Sequence, residues 1–170
     1  MQRFAICLVA SSALALGACA KKAPEELPPA PVATSAPSTP APVAPQGPQP
    51  GSQAHFSQAM RGADTIYFDT DMYDIDSQDA AALRQQAEYL LQYGSAGATV
   101  QGHADERGTR EYNLALGERR ANAAKNYLVS LGVADSRLRT VSHGEERPVA
   151  LGSDEASWAQ NRRAVTVMID

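Results

Sequence analysis

Positive charge is in short supply in this chain of 170 residues, where 15 lysines and arginines face 19 acidic side chains for a formal charge of −4 at pH 7. With no basic excess to neutralise a phosphate backbone, nucleic acid is excluded as a partner. Cysteine is nearly absent, with two, and there is a single Trp. The most apolar stretch, Phe4 to Leu16, covers only about 20 Å as a helix, short of the roughly 30 Å of a bilayer core, so a permanent membrane span is disfavoured. After residue 50 proline disappears except for Pro148, while the other ten crowd in front of it. No H-E-x-x-H block, phosphate loop or nucleophile elbow is present, which removes motif support for the corresponding enzymes. About 115 residues, 56–170, remain for a core, enough for one domain and too few for a multidomain enzyme.

What is present begins with a cationic start, Met1-Gln2-Arg3, followed by the apolar stretch and then small residues up to a cysteine. This is the signal-peptide pattern, assigned here to residues 1–18. Leu16-Gly17-Ala18-Cys19 resembles the bacterial lipobox, which implies a diacylglycerol on Cys19 and cleavage just before it. Cleavage also removes Cys7, so no disulfide can form within the mature chain. Two or more acyl chains give a lasting anchor. Ala20 follows the cysteine where an Asp would resemble an inner-membrane retention signal, so the resemblance implies the outer membrane, with the chain facing the periplasm.

Residues 20–55 combine Pro, Ala, Ser, Thr and Gln with almost no large apolar side chain, and so cannot offset their ordering entropy by burial. A disordered tether is expected over 19–55, including the lipidated cysteine, spanning about 110 Å if it adopts polyproline II. A passive spacer is preferred to a proline-motif ligand, because a periplasmic chain would not meet cytoplasmic proline-binding domains.

The remainder alternates strand and helix. Thr65 to Phe68 reads as a strand, and Asp76 or Ser77 caps a helix whose Ala80, Leu83, Ala87, Leu90 and Leu91 recur at helical spacing until Gly94. Ala98 to His103 reads as a second strand. Thr109 then caps a longer helix with Glu111 in its first turn and a stripe of Leu114, Gly117, Ala121, Ala124, Leu128 and Leu131, stopped by Gly132. A strand over 138–143, a helical turn over 154–160 and a strand in which Val165, Val167 and Ile169 share a face complete the pattern. The order βαβαβ(α)β predicts a single α/β domain, 56–170, with helices packed on a mixed sheet.

The run Gly102-His103-Ala104-Asp105-Glu106-Arg107-Gly108-Thr109-Arg110-Glu111-Tyr112-Asn113, continued by Leu116-Gly117-Glu118-Arg119-Arg120-Ala121, resembles the signature of the OmpA-like domain family and, within it, the peptidoglycan-associated lipoproteins. Ile66-Tyr67-Phe68 before Asp71-Met72-Tyr73-Asp74-Ile75, and Asn161-Arg162-Arg163-Ala164-Val165, fit as well; Thr70 departs, standing where many relatives carry an aromatic residue. The resemblance implies an outer-membrane lipoprotein that is not an enzyme and needs no cofactor. It would bind peptidoglycan non-covalently through the diaminopimelate of the stem peptide and act in the Tol-Pal system, with TolB among its partners, in envelope integrity and cell division.

Diaminopimelate carries an ammonium and a carboxylate at one end of its side chain, so its reader needs an acceptor carboxylate and a forked donor. Asp105 and Arg120 suit those roles, since Arg can give a carboxylate two parallel hydrogen bonds. Asn113, Leu116 and Arg120 fall near one helical face. By family position, Thr70 and Asp71 border the pocket and Arg162 closes another edge. Glu106, Arg107, Arg110 and Glu118 read as a solvated face with weak pairs. A metal site at His103, Asp105, His143 and Glu145 lacks ligand spacing, and a calcium loop at Asp69, Asp71, Asp74 and Asp76 fails at its Gly and Glu positions. Trp158 reads as a packing residue near the last strand.

Overall fold

A computed structural model describes residues 47–169. The signal peptide, Cys19 and the tether as far as residue 46 lie outside them. The tether does not run to residue 55. Ser52 accepts from the backbone N–H of His55 and caps a helix, α1 (Gln53–Met60), with Phe56 and Met60 buried in the core. These two residues stand one helical turn apart on one face, and Gln53 Oε1 takes the Met168 N–H at 2.7 Å. The folded unit therefore starts a few residues earlier than composition suggests.

Strand β1 (Thr65–Tyr67) leads to helix α2 (Ser77–Gln92), whose N-cap is Asp76. Strand β2 (Gly97–His103) leads to helix α3 (Arg110–Ser130), capped by the Thr109 hydroxyl on the Tyr112 N–H. A short 3-10 turn, Asp135–Arg137, precedes β3 (Leu138–Gly144). Helix α4 (Glu155–Asn161) and β4 (Arg163–Ile169) close the order. The sheet runs β1-β4-β2-β3, with β2 and β3 parallel and β4 antiparallel to both of its neighbours. It is the mixed sheet that the strand-helix alternation predicts, with one added helix at the amino end.

The core lies on the sheet face carrying Ile66, Ala98, Val100, Ala164 and Met168, packed against Phe56, Leu83, Leu90, Ala121, Ala124 and Leu128. Within it Thr166 donates to Gln86 at 2.7 Å, so a polar pair is buried fully satisfied. On β4 the core face is therefore Ala164, Thr166 and Met168. The alternating Val165, Val167 and Ile169 line the other, half-open face with Tyr67 and Val141. On α3 the buried stripe is also shifted: Asn113, Leu116 and Arg120 are buried, while Leu114 and Leu131 are only half-buried.

One contact sets how closely α3 lies on the sheet. A Cβ on Gly102 would sit 1.8 Å from the backbone oxygen of Gly117, and one on Gly117 would sit 2.4 Å from Ser142 Oγ. Two glycines thus let helix and strand backbones touch, and this holds the first turns of α3 against the loop that follows β2.

Candidate functional site

Two loops and one helix end converge where β2 ends: the segment after β1, the Ala104–Thr109 loop, and the start of α3. Arg120 reaches in from the third turn of α3 and is fully buried at 0% exposure. Its Nε donates to Met72 O at 2.9 Å, Nη1 to His103 O at 2.8 Å and Nη2 to Asp69 O at 3.0 Å. Its guanidinium carbon stands 5.2 Å from the centre of the Phe68 ring. Burial pulls its pKa down to about 10, with Asp105 acting the other way, so it stays charged at neutral pH. Expected from its position only as a ligand contact, Arg120 pins three backbone carbonyls, two in the segment after β1 and one at the end of β2.

Asp105 is 7% exposed and is held between two arginines. Arg107 grips it with Nε to Oδ1 at 3.1 Å and Nη2 to Oδ2 at 2.6 Å, and Arg162 Nη1 stands 3.4 Å from Oδ2. Burial alone would raise this carboxyl, but the hydrogen bonds from Arg107 and Arg162 outweigh it and hold the group below the ordinary carboxylate range. Arg107 is not one more solvated charge, then. It also donates to Thr70 Oγ1 at 3.2 Å and lies 4.3 Å over the Trp158 ring. Trp158 in turn donates to Glu106 at 3.1 Å, so it belongs to the rim of the site rather than to the core.

Asp71 sits at φ 58°, an unusual left-handed conformation for a non-glycine residue, and accepts from the Tyr112 hydroxyl at 3.0 Å. Asn113 is buried and braces the loop, donating to Arg107 O at 3.1 Å and to the Glu145 carboxylate.

A cavity of about 320 Å3 opens between these groups. Six of the seven expected ligand residues line it: Thr70, Asp71, Asp105, Asn113, Leu116 and Arg120. Arg162 does not; it stands behind Asp105, tied to Phe68 O at 3.0 Å and Glu155 at 2.7 Å, and lines a neighbouring cavity of about 350 Å3. Arg107, expected on a solvated face, completes the lining with Gly108 and Tyr112, neither of which was expected at the site. For Arg107 the available signal was its position two residues after Asp105, within reach of that carboxylate. Carboxylates at Asp71 and Asp105, guanidinium groups at Arg107 and Arg120 and the apolar Leu116 together suit a small zwitterion with an aliphatic stem. Among the described residues no group of three or more His, Cys, Asp or Glu side chains could hold a metal ion, and no helix is long and apolar enough to cross a membrane.

Residues 67–162 match the OmpA family. The chain is 55% identical over 119 residues to a peptidoglycan-associated lipoprotein of Rhizobium meliloti, covering 70% of this chain and 66% of the relative. A protein of the same description from Mesorhizobium japonicum is also 55% identical, with 70% of each chain covered. The chain thus spans about two thirds of the length of these relatives. The crystal structure of the peptidoglycan-associated lipoprotein from Burkholderia pseudomallei superposes with a TM-score of 0.60 at 52% identity, covering 62% of this chain and 89% of that one.

Proposed function

The chain belongs to the OmpA family, and from that premise we propose that it binds peptidoglycan non-covalently through the diaminopimelate of the stem peptide. The observation that carries this reading is that Asp105, Arg120 and the apolar Leu116 line one cavity. The side-chain ammonium of diaminopimelate goes to Asp105 and its carboxylate to Arg120, each as a charge-assisted contact.

Arg120 has five N–H donors and spends three on loop carbonyls, so two remain for a ligand oxygen. A guanidinium already fixed by carbonyls needs no reorganisation when the ligand arrives, which favours binding. Asp105, by contrast, is engaged by Arg107, whose side chain is 38% exposed and long enough to swing away. Ligand entry therefore exchanges one cation for another at this carboxylate. Asn113 acts as a positioning residue for the Arg107 backbone, and Thr70 and Asp71 share the same lining.

Cys19 as a lipidated mature terminus would fix the chain to the outer membrane from the periplasmic side, with the Pro-rich segment as spacer. The protein then links that membrane to the cell wall as a binding protein rather than an enzyme, within the Tol-Pal system and with TolB as a partner. The direct experiment is co-sedimentation of the chain with purified sacculi that contain diaminopimelate, set against sacculi whose diaminopimelate side-chain carboxylate is amidated. Strong binding to the first and weak binding to the second is the expected result; equal binding would remove Arg120 as the carboxylate reader. Cys19→Ala should abolish lipid labelling and release the chain from membranes.

A further inference from the structure

Besides the first cavity and its neighbour at Arg162, a second candidate cavity, of about 550 Å3, opens on the half-open face of the sheet beside the Arg147–Val149 loop. Its charged lining is cationic: Arg147 and Arg163, with the ring of His103 at its base. Arg163 is 6% exposed and donates through Nη1 to Asn161 O at 3.3 Å and through Nη2 to Arg147 O at 3.1 Å, which leaves its Nε without a hydrogen-bond partner among the described residues. Among the described residues neither arginine has a carboxylate within ion-pair distance. The two acids that precede Arg147 in the chain are committed elsewhere, Glu146 to Arg110 at 2.5 Å and Glu145 to Asn113.

His103 is 2% exposed and its Nδ1 has no hydrogen-bond partner among the described residues. Its ring stands 5.2 Å from that of His143, whose Nε2 lies 3.3 Å from Arg147 Nη1. Burial first, and then Arg163, His143 and Arg147, pull the His103 pKa down to about 3, so this ring is a neutral donor or acceptor at pH 7. A buried cation lacking an acid and a buried polar atom lacking a partner normally mark an unfilled interaction, because native interiors pair such groups. Tyr67, Val149 and Val165 give the same cavity an apolar flank.

We propose that this cavity is a second ligand site, taking a peptide-terminal carboxylate whose oxygens meet Arg163 and Arg147 while a small apolar side chain lies against Tyr67, Val149 and Val165. Carboxylate matches the forked donors, and the apolar flank favours a peptide end over a bare inorganic anion. The site is separate from the first cavity but touches it through one residue: the His103 carbonyl accepts from Arg120 while the His103 ring lines the second cavity.

The test is an NMR titration of the full chain in detergent with N-acetyl-alanyl-alanine, following the His103 and His143 ring resonances. A saturable shift is expected, with the C-terminal amide of the same peptide binding at least about tenfold more weakly, the loss of one charge-assisted contact. Arg147→Ala should weaken the acid to a similar degree while leaving melting and sacculus binding at the parent's level, since Arg147 is exposed and does not line the first cavity. No saturable shift, equal affinity for acid and amide, or parent-like affinity in Arg147→Ala would each overturn the site. Inorganic phosphate binding as tightly as the peptide would overturn the assignment to a peptide end.

Discussion

Arg120 and Arg163 are both buried arginines whose donors go first to backbone carbonyls, and they flank the same residue, His103, yet their surroundings differ in sign. Burial lowers the pKa of both; around Arg120 the Asp105 and Asp71 carboxylates oppose it and act to keep the guanidinium charged, whereas around Arg163 it is Tyr67, and no carboxylate, that opposes burial among the described residues. The comparison teaches that carbonyl oxygens suffice to hold a buried guanidinium in place, while the neighbouring acids decide what ligand it can take. With acids alongside, the cavity suits a zwitterion. Without them, it suits an anion.

The hardest way to break this comparison is to collapse both regions together by forcing α3 off the sheet. In Gly102→Ala the new methyl meets a backbone oxygen, which cannot move aside as a flexible side chain could. A cost at or above the top of the overpacking range, about 3 kcal/mol, is expected, measured as a fall in the thermal midpoint. Gly94→Ala, where nothing lies within 4 Å of the added Cβ, should melt close to the parent.

Acid separates the two regions. His103 has a folded pKa of about 3 against an ordinary 6.5, so below pH 6.5 the unfolded chain binds a proton that the folded chain refuses. Stability attributable to this group is full above pH 6.5 and falls as pH drops, by about 1.4 kcal/mol per unit until the folded pKa is reached. Asp79, whose carboxyl burial raises, works in the opposite sense at lower pH. Chemical denaturation at pH 7 and pH 4.5 should show a loss of about 2 to 3 kcal/mol, and most of that loss should vanish in His103→Gln.

Much of this arrangement is legible from sequence, because its signals are local. Asp76 and Thr109 cap the helices that spacing assigns to them, and the strands after residue 64 fall where alternation and Gly stops place them. Helix α1 is not legible, since only Phe56 and Met60 mark its buried face and a proline-rich stretch runs directly into it. For the candidate site, helical spacing places Leu116 and Arg120 on one face. It cannot show that Arg120 is buried and bonded to three carbonyls, because those carbonyls lie 17 to 51 residues away in the chain. The cationic second cavity needs β1, β2, β4 and the Arg147 loop brought together, a purely tertiary fact.

The acid of the first cavity is the sharper target for substitution. Asp105→Asn keeps the shape and removes the charge, and should weaken sacculus binding about tenfold to a hundredfold, the value of one charge-assisted contact of about 1.5 to 3 kcal/mol. Binding of the carboxylate peptide at the second cavity should not change. Arg120→Ala is a poorer probe, because it strips donors from three carbonyls at about 1 kcal/mol each and would lower stability along with binding. Arg120→Lys, read by co-sedimentation alongside a melting curve, separates loss of the fork from loss of fold.

The smallest expected effect distinguishes a ligand contact from a competitor. If Arg107 only occupies Asp105 until a ligand ammonium replaces it, Arg107→Ala removes a rival and should tighten sacculus binding. The gain is bounded, because a pair with one half-exposed partner is worth about 0 to 1 kcal/mol, or no more than about fivefold in affinity. Trp158, which does not line the cavity, loses a stacked cation in the same variant, so the rim changes along with the pair. The same substitution made in Asp105→Asn should have no effect on binding, since the carboxylate over which the two cations compete has gone, and this non-additivity is the signature of competition at one group. Weakening of tenfold or more by Arg107→Ala alone would instead make Arg107 the reader of the ligand carboxylate, and would leave Arg120 as the clamp on the Asp69, Met72 and His103 carbonyls.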